Sequence, residues 1–431
     1  MKSICILGLG YIGLPTLAMF ATNGLKVVGV DVNERIVATL NNGDIHIKEP
    51  GLKNLIQVAF NSGNIRIKNR PEFSDAFLIA VPTPFKHDEF GSYNGKEYKK
   101  ADMSFVVSAT EMIVPFLRKG NLVVLESTSP LRTTVDLVKP ILEKSGLKAG
   151  EDFYLVYSPE RVLPGQILKE LTENPRVIGG LNYKSAEKGK ELYSTFVKGK
   201  IFLTDATTAE MIKLMENTYR DINIAIANEF SRLADEFGID IWETISIANQ
   251  HPRVKILNPG PGVGGHCISV DPWFLIEAAP QITDLICTAR QVNDTQPHFV
   301  VQLVQRLLGN LKGKEVAVLG ITYKPNVNDF RESPAIEVMK ELITLGCEVR
   351  AFDPYATSYH ELGNYLVSSF KEAISNADLL LLLVDHTEFK SLTPETCIGM
   401  KRKIILDTRN CLNVALWQQA GFDISILGNA K

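Results

Sequence analysis

A glycine-rich segment near the start of the chain, GLGYIG at residues 8–13, constrains the fold more than any other feature. It directly follows an apolar, strand-like run, and a second such run leads to Asp31. In a strand–turn–helix–strand unit, such glycines permit a tight turn, let the backbone approach a pyrophosphate and allow close helix packing. Asp31 can accept hydrogen bonds from ribose hydroxyls and would repel a 2′-phosphate. The segment therefore predicts an NAD site formed by Gly8, Gly10, Gly13 and Asp31.

Arg35 lies one helical turn beyond Asp31 and is a further candidate for cofactor binding. A solvated surface position explains this arginine equally well.

Apolar runs alternate with helix-length segments over about the first 200 residues, which predicts an α/β fold with a parallel, doubly wound sheet. The expected strands lie within 3–10, 25–32, 76–83, 121–128 and 152–158. A second alternation begins near Gly313 without a glycine fingerprint, and its expected strands lie within 314–323, 347–354, 377–385 and 403–408. We therefore predict two Rossmann-like lobes joined by a long central helix and a helical middle domain. The expected domains are 1–203, 204–300 and 301–431.

The polar segment 85–103 separates the third and fourth expected strands and contains two glycines. Connections of this length are commonly lids or binding elements, so we expect a polar loop there.

Residues 207–237 contain neither glycine nor proline, and Gly238 follows as a natural C-terminal stop. Apolar residues recur at steps of three and four, which predicts one long helix that forms a spine between domains or a dimer interface. Lys213 and Asn217 are four residues apart and therefore share a helical face. An ammonium beside an amide can stabilise an oxyanion, although an ordinary surface lysine remains an alternative.

Composition excludes several classes of partner. The chain has 46 basic and 49 acidic residues and no long basic block, which argues against nucleic acid or an anionic membrane as partner. The six cysteines form no C-x-x-C pair, so we expect a reduced, cytoplasmic protein without a disulfide framework or a metal site. The apolar N-terminus is interrupted by glycines and reads as a βαβ unit, not as an export signal.

Cys267 lies in Gly262-Val263-Gly264-Gly265-His266-Cys267, an irregular segment in which the backbone can come close to a ligand. The other five cysteines lie in strand or helix patterns typical of small buried hydrophobes. We therefore predict that Cys267 is a nucleophile. Asp271 is a carboxylate four residues later and a candidate proton acceptor, whereas His266 is interpreted as structural.

Polar residues follow several expected strands, where ligands bind in such sheets. In the first lobe these residues are Thr83, Thr128 and Glu160. In the second lobe they are the cations Lys324, Arg331 and Arg409, which suggest a second phosphate-bearing ligand unless they are ordinary surface charges.

Taken together, these motifs resemble the UDP-glucose/GDP-mannose dehydrogenases over essentially the full chain. The matching segments are GLGYIGLP (8–15), VPTP (81–84), EST (126–128), SPERVLPG (158–165), AEMIKLMENTYRDINIAIANE (209–229), GPGVGGHCISVDPWF (260–274), GITYKPNVNDFRESPA (320–335) and DTRN (407–410). The resemblance implies a four-electron oxidation of a sugar C6 alcohol to a carboxylate with two NAD molecules in turn.

The resemblance also implies roles for individual residues. Cys267 would attack the intermediate aldehyde and later carry a thioester. Lys213 and Asn217 would stabilise oxyanions, Asp271 would orient water or assist proton transfer, and Glu160 would activate water. The residues implied for NAD are Tyr11, Ile12, Asp31, Arg35, Thr83, Thr128 and Arg331. Those implied for the UDP-sugar are Glu160, Arg161, Lys213, Asn217, Arg220, His251, Arg253, Gly264, Tyr323, Lys324 and Arg409, with His251 and Arg253 reaching a neighbouring subunit.

HPRV at 251–254, followed by GPGVGGHC and DPWF, most resembles the members of the family that act on UDP-N-acetyl-D-mannosamine, and this resemblance implies that substrate. Glucose-specific members of the family usually carry an aromatic residue where this chain has Arg161-Val162, which also favours an N-acetylated sugar. UDP-N-acetylglucosamine and UDP-glucose remain alternatives.

Three other classes of protein could share parts of this pattern. Short-chain epimerases and dehydratases need Tyr-x-x-x-Lys, and none of the 12 tyrosines has lysine four positions later. A two-electron 3-hydroxy-acid dehydrogenase would share the first lobe and the long helix but would not need Cys267 or a second lobe. A non-catalytic NAD-binding regulator would leave Cys267, Lys213 and Asp271 unexplained.

Overall fold

The computed structural model describes residues 1–47, 49–163, 165–356 and 362–429, apart from the side chain of His87. Pro164 of the 158–165 motif and the last two residues of the third expected domain lie outside this range. The chain forms two compact units. The first contains Met1–Glu216 and Trp273–Ile282, and the second contains Asn217–Pro272 and Thr283–Lys431.

The first unit is an α/β layer structure. Its strands are β1 (Ser3–Leu7), β2 (Lys26–Val30), β3 (Ile65–Lys68), β4 (Ala76–Ile79), β5 (Phe85–Tyr93), β6 (Lys96–Ala101), β7 (Leu122–Leu125), β8 (Tyr154–Tyr157), β9 (Arg176–Gly180) and β10 (Ile201–Asp205). Its helices are α1 (Gly13–Thr22), α2 (Glu34–Asn41), α3 (Leu52–Asn61), α4 (Ser104–Ile113), α5 (Lys139–Glu143), α6 (Ile167–Glu173) and α7 (Tyr183–Tyr193), with a 3₁₀ turn at Val114–Phe116 and a π-helical segment at Thr133–Val138.

Eight strands form one sheet in the order β10-β9-β8-β7-β4-β1-β2-β3. Every residue of β4 and β7 is buried, as expected for strands covered on both faces. The strand order reverses between β1 and β4, which creates a crevice at their carboxyl ends. Neighbouring strands are parallel except β8 and β9, which are antiparallel. The structure thus confirms the five predicted strands and adds β3, β9 and β10.

The expected polar loop at 85–103 is wrong in part, because β5 and β6 form an antiparallel hairpin there. The turn consists of Asn94 and Gly95, both with positive φ (49° and 76°). Asn-Gly is the preferred pair for a two-residue hairpin turn, so this signal was present in the sequence.

The predicted long helix is α8 (Ala206–Phe237), which begins in the first unit and ends in the second. Gly238 follows it with a φ of 65°, the left-handed conformation that commonly ends a helix. Within the described ranges, none of the helices has the length and apolar character needed to cross a bilayer.

The second unit contains a five-stranded parallel sheet in the order β12-β11-β13-β14-β15. These strands are β11 (Glu315–Leu319), β12 (Glu348–Phe352), β13 (Leu379–Leu382), β14 (Ile404–Asp407) and β15 (Asp423–Ile426). The helices are α9 (Ile241–Ala248), α10 (Asp271–Ala278), α11 (Asp284–Asp294), α12 (Gln296–Leu308), α13 (Pro334–Thr344), α14 (Phe370–Ile374), α15 (Thr387–Lys390) and α16 (Val414–Gln419), of which α10 extends into the first unit. Two 3₁₀ turns occupy Gly363–Tyr365 and Pro394–Cys397. The four predicted strands are confirmed, and β15 was not predicted.

Candidate active site

The glycine turn and Asp31 lie together, as predicted. Gly8 has a φ of 90°, and its N–H donates to the carbonyl oxygen of Val30 at 2.8 Å. The Asp31 carboxylate accepts the N–H of Leu9 at 3.0 Å and that of Asn33 at 2.9 Å. The turn at the end of β1 is therefore tied to the end of β2.

The residues of this turn fit a dinucleotide. No atom lies within 4 Å of the position that a Cβ of Gly10 would take, so the backbone there is open to a pyrophosphate. Tyr11 and Ile12 immediately precede α1, whose N-terminus favours an anion. Each carboxylate oxygen of Asp31 keeps a further lone pair for a ribose hydroxyl. Arg35 is exposed in the first turn of α2.

Thr83 and Thr128 are brought together beyond the carboxyl ends of β4 and β7. The Thr83 hydroxyl donates to the carbonyl oxygen of Thr128 at 2.7 Å, and the Ser127 hydroxyl donates to that of Val81 at 2.7 Å. These bonds join the two strand ends that border the crevice, where a cofactor would extend from the glycine turn.

Glu160 is held on both carboxylate oxygens. It accepts the backbone N–H of Arg161 at 2.6 Å and the guanidinium of Arg176 at 3.1 Å. Arg176, which the sequence analysis missed, also pairs with Glu126. The side chain of Arg161, a predicted substrate ligand, donates to Glu216 at 3.1 Å and forms an ion pair with the same carboxylate at 2.9 Å.

Glu126 should make stability depend on pH. Burial raises the pKa of its carboxyl from 4.5 to about 7, and the neighbouring Arg176 offsets only part of this shift. The folded state therefore binds this proton more tightly, and the resulting stability is lost as the pH rises from about 4.5 through about 7. We expect the difference in melting temperature, wild type minus Glu126→Gln, to decrease as the pH is raised from about 5 to about 8. A difference that stays constant over this range would contradict the expectation, and the exposed Glu97→Gln provides the control.

In the second unit, three predicted catalytic residues lie together. Asp271 is the first residue of α10, and its N–H donates to the carbonyl oxygen of Cys267 at 2.8 Å. The Asp271 carboxylate is 1% exposed and accepts the Asn217 amide at 2.6 Å. Cys267 is partly exposed. The irregular segment that carries Cys267 (260–271, the cysteine segment) thus ends at Asp271, whose carboxylate is held by Asn217 of the long helix. Lys213, assigned to the first unit, lies one turn before Asn217 on α8 and is 8% exposed.

Four of the other cysteines are poorer nucleophiles than an ordinary thiol. Burial raises the pKa of Cys5 to about 12 and those of Cys347 and Cys397 to about 11. Burial also raises the pKa of Cys411. Because the thiolate is the reactive form, these four thiols are inert near neutral pH.

The cysteine segment packs on a loop that follows β11. A Cβ at Gly264 would lie 2.5 Å from the carbonyl oxygen of Glu332 and 2.8 Å from the Cβ of Tyr323. The N–H of Gly265 donates to the carbonyl oxygen of Arg331 at 2.9 Å. Gly264 and Tyr323, both predicted substrate ligands, are therefore in contact. The Arg331 guanidinium forms two hydrogen bonds with Asp329, at 2.9 and 2.6 Å.

The loop that carries Tyr323 and Lys324 is anchored by a residue that the sequence analysis missed. His386 is fully buried, and its Nδ1 accepts the N–H of Asn326 at 2.9 Å. Its Nε2 therefore carries the proton and donates to Asp353 at 3.0 Å. Burial opposes the charged form of Asp353, but hydrogen bonds from His386 and from the backbone lower its pKa.

Asp353 repeats in the second sheet the position of Asp31 in the first. It accepts the N–H groups of Ile321, Thr322 and Tyr355, at 2.8, 3.0 and 2.8 Å, and the Thr322 hydroxyl at 3.2 Å. With His386, five donors surround this carboxylate, whereas Asp31 accepts two backbone donors.

Arg409, a predicted substrate ligand, lies beside Gly260 at the start of the cysteine segment. Its Nε donates to Asp385 at 3.2 Å. Gly260 itself is fixed by two buried amides, since its N–H donates to Asn228 at 3.0 Å and its carbonyl accepts from Gln296 at 3.1 Å. The remaining predicted substrate ligands, Arg220, His251 and Arg253, are exposed.

Comparisons with known proteins identify the family. Models of the UDP-glucose/GDP-mannose dehydrogenase family match the chain at residues 2–197 (NAD binding domain), 207–295 (central domain) and 317–414 (UDP binding domain). The chain is 49% identical over 434 residues to the UDP-N-acetyl-D-mannosamine dehydrogenase of Methanococcus maripaludis, covering 99% of this chain and 97% of that protein. It is 44% identical over 418 residues to an NDP-N-acetyl-D-galactosaminuronic acid dehydrogenase of Ralstonia nicotianae, covering 95% and 96%. A solved structure of the UDP-N-acetyl-mannosamine dehydrogenase from S. aureus has a TM-score of 0.89 and 43% identity, and covers 99% of each chain.

The fold and the glycine turn define a dinucleotide-dependent dehydrogenase. The chain belongs to the UDP-glucose/GDP-mannose dehydrogenase family, and it is an NAD-dependent nucleotide-sugar dehydrogenase. The resemblance seen in the sequence and the expected cofactor are thereby confirmed.

Proposed function

We propose that this enzyme oxidises C6 of UDP-N-acetyl-D-mannosamine to the carboxylate through a thioester on Cys267. The observation that carries the proposal is the arrangement of the partly exposed Cys267 with the buried Asp271, whose carboxylate accepts the amide of the partly buried Asn217. Relatives that match the whole chain and are named for this activity support the choice of substrate.

Two molecules of NAD, bound in turn, would accept the two hydrides from C6. The Cys267 sulfur adds to the aldehyde carbon that the first oxidation produces and gives a thiohemiacetal. After the second oxidation, C6 and the sulfur are joined in a thioester. Water then adds to C6, the C–S bond breaks, and the acid and the free thiol result.

Five further side chains would stabilise charge, orient groups or move protons in these steps. Lys213 and Asn217 would stabilise the oxyanion at C6, since cationic and amide donors fixed in a protein favour developing negative charge. Asp271 would orient water or assist proton transfer, and Glu160 would accept a proton from the attacking water. Thr128 belongs to the same catalytic set.

Binding would be divided among the three expected domains. Residues 1–203 would bind NAD, 204–300 would carry Lys213 and the cysteine segment, and 301–431 would bind the UDP-sugar. The residues proposed for NAD are Gly8, Gly10, Tyr11, Ile12, Gly13, Asp31, Arg35, Thr83, Thr128 and Arg331. Those proposed for the UDP-sugar are Glu160, Arg161, Lys213, Asn217, Arg220, His251, Arg253, Gly264, Tyr323, Lys324 and Arg409.

The number of NADH formed per sugar tests the reaction and the substrate together. Reactions should be run to completion with UDP-N-acetylmannosamine, UDP-N-acetylglucosamine, UDP-N-acetylgalactosamine and UDP-glucose. We expect two NADH per UDP-N-acetylmannosamine and little from the other sugars. Two NADH with another sugar would keep the mechanism and change the substrate. One NADH per sugar would contradict the thioester mechanism and favour a two-electron dehydrogenase.

We further propose that two copies of the chain pair through α8. The enzyme would act in the cytoplasm, and its product would be used for surface polysaccharide synthesis. Within the second unit, one side of α8 exposes large apolar side chains at helical spacing. They are Tyr219 (70% exposed), Ile226 (42%), Phe230 (40%), Leu233 (48%) and Phe237 (71%). Such a stripe is suited to burial against its own copy. The six free cysteines are consistent with a reducing compartment.

Phe230→Glu should separate the dimer, because a carboxylate in the centre of the stripe would be desolvated on pairing. We expect light scattering to give twice the chain mass of 47.8 kDa for wild type and the single mass for the variant. Val58→Glu, an exposed apolar residue on α3, is the matched control and should remain dimeric. A wild-type mass of 47.8 kDa, or a dimeric Phe230→Glu, would contradict the interface.

A further inference from the structure

A buried arginine connects Glu160 to the interior of the first unit. Arg176 is 5% exposed, and its three guanidinium nitrogens contact three different side chains. Nε donates to the Ser158 hydroxyl at 3.0 Å, Nη1 to Glu160 at 3.1 Å, and Nη2 to Glu126. The same guanidinium lies 3.9 Å from the centre of the Tyr193 ring. Each nitrogen of the guanidinium and the Tyr193 ring thus contribute to holding it in place.

The direction of one strand creates this cluster. Glu126 directly follows β7, and Ser158 and Glu160 follow β8. Because β9 is antiparallel to β8, its first residue, Arg176, lies at the same sheet edge as those two carboxyl ends. This edge is where ligands bind in open α/β sheets.

Burying this cluster of charged groups lowers the free energy of unfolding, because the charges lose their hydration. Arg176, Glu126 and Glu160 are 5%, 2% and 9% exposed, and two carboxylates share one cation. Replacing a buried ion pair by apolar residues of similar volume is often neutral or stabilising, so folding alone does not require such a group. In addition, Oε2 of Glu126 has no hydrogen-bond partner among the described residues. An incompletely satisfied polar network at a ligand-binding edge points to a role in the reaction.

We propose that Arg176 is a positioning residue for thioester hydrolysis, and that it fixes the direction of the Glu160 carboxylate while Glu126 and Ser158 fix Arg176. A planar guanidinium with several rigid donors can hold a carboxylate in one orientation, which a lysine cannot do. The backbone N–H of Arg161 holds the other oxygen of Glu160 at 2.6 Å, so the carboxylate cannot rotate freely. This inference rests on the proposed role of Glu160 in accepting a proton from water.

The test is Arg176→Lys, measured for each half of the reaction. With UDP-N-acetylmannosamine and NAD, we expect kcat to fall about tenfold to a hundredfold, because small misplacements of catalytic groups have effects of this size. The KM for the sugar should change by less than about threefold, since Arg176 does not bind substrate in this proposal. Intact-protein mass spectrometry of quenched turnovers should show the acyl adduct on Cys267 accumulating, while the first hydride transfer keeps its rate.

Arg350→Lys is the matched control. Arg350 also lies on a strand, pairs with a carboxylate, Glu315, and binds a carbonyl oxygen, that of Ser375. The Arg350→Lys variant should leave kcat unchanged within about twofold, and no acyl adduct on Cys267 should accumulate. If Arg176→Lys slows both hydride transfers and hydrolysis equally, or lowers only the melting temperature, Arg176 is merely structural and the inference is overturned.

Two further variants keep the test decisive. Ser158→Ala removes one anchor of the guanidinium without leaving a charge unpaired, so it should fold and show the same adduct with a smaller loss of kcat. A Ser158→Ala enzyme without adduct would count against the inference. Glu160→Gln separates this inference from the proposed function. If the Glu160→Gln enzyme hydrolyses the thioester at the normal rate, the proposed role of Glu160 is wrong. If the acyl adduct accumulates in Glu160→Gln but not in Arg176→Lys, only the positioning role of Arg176 is rejected.

Discussion

Replacing Cys267 by serine is expected to lower the steady production of sugar acid by at least about a thousandfold. A serine hydroxyl is far less nucleophilic than a thiolate at neutral pH, and its ester would be hydrolysed more slowly than a thioester. The substitution is nearly isosteric in a partly exposed segment, so folding should be preserved. Product formation should be followed by mass spectrometry and NADH by absorbance.

Cys411→Ser provides the control for this experiment. Cys411 is the other partly exposed thiol, and burial raises its pKa, so its loss should change turnover by no more than about twofold. A Cys267→Ser enzyme that forms sugar acid at a rate close to wild type, with two NADH per sugar, would rule out a covalent thioester.

The second large effect is expected from Gly13→Ala. A Cβ at Gly13 would overlap the carbonyl oxygen of Gly8, and the two residues cannot separate without breaking the turn between β1 and α1. Overpacking of this kind costs about 1–3 kcal/mol or more in the free energy of unfolding. NAD affinity should fall about a hundredfold or more, because the Gly8 turn and the N-terminus of α1 would no longer be aligned.

Gly10→Ala separates the two causes of this loss. No protein atom lies within 4 Å of the new Cβ at Gly10, so the melting temperature should stay within about one or two degrees of wild type. Its NAD affinity should nevertheless fall, because the methyl group would occupy the path of the pyrophosphate. Calorimetric titration with NAD and thermal melting measure both properties. Equal melting temperatures for Gly13→Ala and wild type would contradict the steric argument.

The parts of the fold and site that could be predicted from sequence depend on local pattern. The glycine turn, Asp31 and α8 follow from spacing that a short segment specifies by itself. Cys267 was distinguishable because its glycine-rich surroundings differ from the strand and helix patterns of the other cysteines. The hairpin of β5 and β6 was also marked locally, by Asn94-Gly95, and was missed because its strands are polar.

Arg176 could not be predicted in the same way. Its contacts are with residues 16 to 50 positions away in the sequence, and they exist only because β9 reverses direction beside β8. Short apolar runs do not specify strand direction, and RVIGG resembles a parallel strand as much as an antiparallel one. His386 is similar, since its partners Asp353 and Asn326 follow β12 and β11 and meet it only through the order of the second sheet.

The contrast between Asp31 and Asp353 has a consequence for the timing of the reaction. Asp31 is partly exposed and keeps room for a ribose, whereas the side chain of Asp353, its counterpart in the second sheet, is fully buried, so Asp353 cannot bind a second dinucleotide. Two oxidations that share a single cofactor site must occur one after the other. The half-oxidised sugar must then stay bound while one NADH leaves and the next NAD binds. The time for which this intermediate stays bound, more than the rate of either oxidation, would decide whether aldehyde escapes. In the proposed mechanism, the covalent bond to the Cys267 sulfur would prolong that time.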